Sequence, residues 1–124
     1  MAGRRRHPLV LAVPAGPALA EGCFGAVLIV WTRPLMQSLA REPVDRQVVI
    51  VARILGVRYV LQGFVTARRP TPRVLEVGAA VDALHAATMI AGAAAHVGPR
   101  RLTMASAIAA GAFAAVGVAE SRRR

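Results

Sequence analysis

The sequence predicts an all-α fold, a four-helix transmembrane bundle, and three observations predict it. Hydrophobic residues make up 56% of the 124 residues and the mean hydropathy is +0.50, too apolar for a soluble domain of this size. The apolar residues gather in four blocks, about 9–31, 48–67, 74–97 and 102–119, each near the ~20 residues that a helix needs to cross the hydrocarbon of a bilayer. Aromatic residues are only 4% of the chain, and a bulk of Ala, Val, Leu and Gly suits helices that approach one another closely in lipid. The length accommodates a single integral membrane domain, residues 1–124.

The first block, Leu9–Trp31, is the least regular. Pro14, Gly16 and Pro17 interrupt it, so its helix starts near Pro17 or is kinked inside the span. The N-terminus also imitates a secretion signal, with Arg4-Arg5-Arg6, an apolar run from Leu9, and Ala18-Leu19-Ala20 as a small-residue cleavage site. Cleavage there would leave Gly22–Trp31, a remnant too short to span and too apolar to expose, so the block reads as an uncleaved first span. Thr32-Arg33-Pro34 through Arg46 then breaks the pattern, with Leu35–Arg41 able to form a short interfacial helix.

The second block, Val48–Ala67, carries Arg53 and Arg58. Two arginines cost a span roughly 5–7 kcal/mol, while each Val, Ile, Leu or Phe returns only about 0.3–0.6 kcal/mol. Its eleven such residues bring the sum close to zero, so this helix needs a partner that answers its charges. Arg68-Arg69-Pro70-Thr71-Pro72-Arg73 ends it, and Gly98-Pro99-Arg100-Arg101 separates the third block from the fourth. Small residues offer close approach: Ala52, Gly56 and Gly63 in the second helix, and the pairs Ala107/Gly111 and Ala110/Ala114 in the fourth.

The net charge of +10 is carried by arginine alone. The arginines punctuate apolar blocks, with no interleaved aromatics or basic helix beside them, and therefore set topology instead of binding nucleic acid. With four spans, one side holds nine arginines (Arg4, Arg5, Arg6, Arg68, Arg69, Arg73, Arg122, Arg123, Arg124) and the other five (Arg33, Arg41, Arg46, Arg100, Arg101). The asymmetry predicts a multi-pass protein of the cell membrane with both termini cytoplasmic. Its partners are then the lipid bilayer and, because four thin Ala/Gly-rich helices enclose little room, further copies of itself or a larger membrane complex.

Four charged side chains fall deep inside the blocks, Glu21, Arg53, Arg58 and Asp82, with His85 beside them. Glu76 lies near an edge and can reach water. At ~1.5 Å per residue, Arg58 lies ~13–14 Å from Ala67 and Asp82 ~12 Å from Val74, the same membrane edge. Joined by a short loop, the two helices can bring these side chains together, with Glu21 at a similar depth. Arg53 lies shallower and can snorkel outward. Gly78, Asp82, His85, Met89 and Ala93 share one helix face, so Asp82 and His85 should point into the bundle, with Asp82 neutralising Arg58. Such a cluster is either a structural clamp that fixes helix register or a proton or substrate site.

No catalytic chemistry is legible. No nucleophile–base pair is visible, Cys23 is the only cysteine, and Asp82 with His85 makes at most two metal ligands, so neither a cofactor nor a metal is implied. The expected role is that of a non-enzymatic accessory or oligomeric membrane subunit. The alternative is a proton-coupled small-molecule transporter using an intramembrane carboxylate.

The runs ARILGVRYVLQG and RRPTPRVLEVGAAVDALHAATM resemble a pattern in small four-span membrane proteins of actinobacterial type, over roughly Ala52–Met89. The resemblance implies the four-helix fold and marks Arg53, Arg58, Asp82 and His85 as motif positions; it implies no activity. ALAEGCFGAVLIVW, with Glu21 followed by Gly25, is similar to the first span of small proton-coupled multidrug exporters. Those have largely uncharged further spans rich in Trp and Tyr, whereas this chain carries Arg53, Arg58 and Asp82 but only Trp31 and Tyr59.

Overall fold

A computed structural model of the protein describes residues 16–124. They form five helices: α1 (Gly16–Val30), α2 (Thr32–Ala40), α3 (Arg46–Arg68), α4 (Pro72–Ala94) and α5 (Arg100–Ser121). No strand occurs among the described residues. Three helices, α3, α4 and α5, are long and apolar enough to cross a membrane, and α1 with α2 makes a fourth if that bent pair counts as one span. The start of the first block and the secretion-signal pattern before Gly16 lie outside the described residues.

The caps show why the helices begin and end where they do. Gly16 and Pro17 open α1, as the first-turn position suits a residue without an N–H. Asp45 caps α3, its carboxylate accepting from the Val48 N–H at 2.9 Å, and Thr71 caps α4 from the residue before Pro72, accepting from the Val74 N–H at 3.3 Å. The third block stops at Ala94, before the expected Val97, because His96 (φ 57°) and Gly98 (φ 72°) turn left-handed ahead of Pro99.

The Leu35–Arg41 segment lies in α2, which begins at Thr32 and ends at Ala40, with Arg41 (φ 56°) closing it. The chain turns by 92° between α1 and α2. Thr32 holds that corner: its hydroxyl donates to the Leu28 carbonyl and lies 3.0 Å from the Ile29 carbonyl, satisfying acceptors left open at the end of α1. Buried Met36 and Ala40 then cover this end of the molecule, packing with Leu28, Val44, Val49 and Ala52.

Small residues decide the pairing. α1 lies antiparallel on α3, backbone against backbone: a Cβ at Gly25 would stand 2.5 Å from the Gly56 carbonyl oxygen, and one at Gly63 would stand 2.7 Å from the Ala18 carbonyl oxygen. α4 and α5 form the second close pair, with Gly117 against Ala79 and with Ala107 and Ala110 buried. The expected Ala107/Gly111 pair is corrected here. A Cβ at Gly111 would meet nothing within 4 Å, so the helix turns Gly117, not Gly111, into the contact. The two pairs are joined by an aromatic trio, Phe24 of α1, Tyr59 of α3 and Phe113 of α5, with ring centroids 5.2–5.5 Å apart. α3 and α4, though consecutive, pack sparsely; side chains bridge them instead.

Candidate functional site

That bridge is polar. From α3, the Arg58 Nη2 donates to Asp82 Oδ1 of α4 at 2.6 Å. Gln62, one turn beyond Arg58, points the same way, and its amide is the hub of the cluster. Its Nε2 donates to Asp82 Oδ2 at 2.9 Å and to Glu21 Oε1 of α1 at 3.2 Å, while its Oε1 lies 3.3 Å from Arg58 Nη2. Three helices therefore meet through four side chains. Asp82 is fully buried and Glu21 is 6% exposed, so these groups have left water and depend on one another.

The register explains the meeting. Arg58 pairs with Asp82, and four residues along α3 and back along α4, Gln62 faces Gly78: a Cβ there would lie 3.1 Å from Gln62 Nε2. A residue with a side chain at position 78 would push the amide away from the carboxylates. On the α1 side, the glycine contacts bring the backbone close enough for Glu21 to reach Gln62 across the helix pair.

Three buried polar atoms have no hydrogen-bond partner among the described residues: Glu21 Oε2, Arg58 Nη1 and Tyr59 Oη. The Arg58 guanidinium carbon stands 5.1 Å from the Tyr59 ring centroid, so the ring face provides part of its environment. The cluster holds two carboxyl groups against one guanidinium. Asp82 uses both oxygens; Glu21 uses one.

The structure brings together Glu21, Arg58 and Asp82 of the five side chains read from the sequence and sets the other two apart. Arg53 lies five residues before Arg58, about 140° round the helix at ~100° per residue. It is exposed, and its Nε donates to the Thr32 hydroxyl at 3.4 Å, at the α1–α2 corner. His85, half-buried, turns toward α5, where its Nε2 lies 2.9 Å from Ser106 Oγ. Gln62 and Tyr59 join the site although neither carries a charge. Gln62's one sequence signal is its position one turn from Arg58 inside an apolar block. Among the described residues no three His, Cys, Asp or Glu side chains are placed to hold a metal ion, and Cys23 is exposed. No family model, curated protein or solved structure matches the chain.

Proposed function

We propose that this is a small multi-pass protein of the cell membrane, non-enzymatic, serving as an accessory or oligomeric subunit, with Glu21, Arg58, Gln62 and Asp82 acting as a polar clamp. The observation that supports the reading is the position of the Gln62 amide. It binds carboxylates from α1 and α4 at once, where the α1–α3 and α4–α5 pairs otherwise share few contacts. A buried ion pair contributes register more than net stability, yet losing one partner strands the other and costs about 3–5 kcal/mol. Arg58→Leu and Asp82→Leu should each lower thermal stability in detergent strongly, and the double variant should recover most of the loss. Additive losses would sink the clamp.

A second reading, a proton-coupled transporter, draws on Glu21 Oε2, a buried carboxyl oxygen with no protein partner. Intramembrane carboxyls are candidates for proton carriers. Glu21→Gln keeps the acceptor for Gln62 but has no proton to exchange. Proteoliposomes under a pH gradient test it: flux lost in that variant, with its stability kept, selects the transporter over the clamp.

A further inference from the structure

Between the clamp and the α3–α4 loop the two helices part, leaving a groove of about 540 Å³. Leu61, Val65, Val74, Val77 and Val81 make its walls, Arg58 and Gln62 close its deep end, and Arg73 lines its other end, in the first turn of α4. Along α4 the lining runs from Arg73 to Val81, eight residues or ~12 Å of helix axis, close to half the ~30 Å hydrocarbon thickness. That is the depth of one leaflet. Beside its open end stand Arg68, the last residue of α3, Arg69 of the α3–α4 connection, and Arg73; none of the three forms an ion pair among the described residues. Arg68 rests over the Phe64 ring, 4.9 Å from its centroid, and Glu76, one turn from Arg73, leaves it unpaired.

We propose that this groove binds one anionic phospholipid, its headgroup phosphate on Arg73 and an acyl chain along the valine walls. The walls suit a hydrocarbon chain, and the length suits a lipid that reaches the midplane, where the clamp stops it. The free arginines demand a negative headgroup, as basic pockets between membrane helices do. A zwitterionic lipid would fill the walls equally well but leave the arginines without a net countercharge. The inference rests on the membrane placement proposed above and goes beyond it.

Native mass spectrometry of the purified protein, released from detergent with phosphatidylglycerol or phosphatidylcholine of identical acyl chains, tests it. One bound phosphatidylglycerol should be retained in clear preference to phosphatidylcholine. Arg73→Gln should cut that preference roughly fivefold, the equivalent of one arginine at a lipid headgroup, while Arg123→Gln, an equal loss of charge elsewhere, should leave it unchanged. Val77→Trp, which fills the groove, should abolish the retained lipid. Equal retention of the two lipids, equal effects of the two arginine variants, or lipid-free dimers that seat a second copy in the groove would each overturn the proposal. If Val77→Trp does not fold, the two arginine variants decide. Release of the protein from membranes by alkaline carbonate would instead defeat the membrane placement itself, a distinct result.

Discussion

Asp82 and Glu21 are both buried carboxyls within one cluster, yet they are not equivalent. Both oxygens of Asp82 are engaged, one by the Arg58 guanidinium at 2.6 Å, whereas Glu21 touches only the Gln62 amide. Asp82→Asn therefore removes the countercharge of Arg58 and sets an amide NH2 against other donors; the expected loss is about 3–5 kcal/mol. Glu21→Gln retains an oxygen for Gln62 and is expected to cost no more than about 1.5 kcal/mol, the range of one neutral hydrogen bond. Thermal unfolding in detergent measures both, and a Glu21 variant worse than the Asp82 variant would mean that Glu21 is the true partner of Arg58. Matched depth made the Arg58–Asp82 meeting legible in the sequence, since charges inside an apolar block are conspicuous and helix rise is fixed. Gln62 was not legible as the hub. An uncharged amide announces no partner, and its bridging depends on Gly78 opposite it and on the closeness of α1, which only packing determines.

At the scale of helices, hydropathy and breakers locate α3, α4 and α5 to within a few residues because Asp45, Thr71 and Pro99 mark their starts in the sequence itself. The break after α1 is marked by Thr32-Arg33-Pro34, but its 92° angle is not. It depends on the Thr32 hydroxyl turning back on the α1 carbonyls and on Arg53 reaching Thr32 from another helix. Glycine roles are likewise divided by tertiary contact and not by spacing alone. Gly25 lies against the α3 backbone, where no flexible side chain can give way, while Gly111 faces open space. Gly25→Leu should force α1 off α3 and lower stability by at least about 1–3 kcal/mol, the usual cost of overpacking. Gly111→Leu should stay within about 0.5 kcal/mol, as for a substitution that touches nothing. Melting temperatures of the two variants check the contrast; equal losses would mean that α1 and α3 do not make the close pair.

Over the whole molecule, the arginines separate into two ends that match the alternation of the helices. α1 and α4 run one way and α3 and α5 the other, so Arg68, Arg69, Arg73 and Arg122–Arg124 share one end while Arg33, Arg41, Arg46, Arg100 and Arg101 share the opposite one. Among these described residues the count is six against five, and Arg4, Arg5 and Arg6 make the asymmetry nine to five if the N-terminus joins the first end. Arginines within about 15–20 residues of a span weigh on orientation, and all of these qualify. Arg69 sits in a connection of three residues between two spanning helices, with Arg68 at the end of α3 and Arg73 in the first turn of α4, so all three flank the kind of short loop over which the charge bias acts. The expected outcome is a C-terminus retained in the cytoplasm. A C-terminal alkaline phosphatase fusion should be inactive and a fluorescent-protein fusion at the same position bright. Replacing Arg68, Arg69 and Arg73 by Gln removes the bias at this loop and should raise phosphatase activity by admitting the inverted orientation. An active phosphatase on the unaltered chain would put Arg122–Arg124 outside and reverse the assignment of both ends.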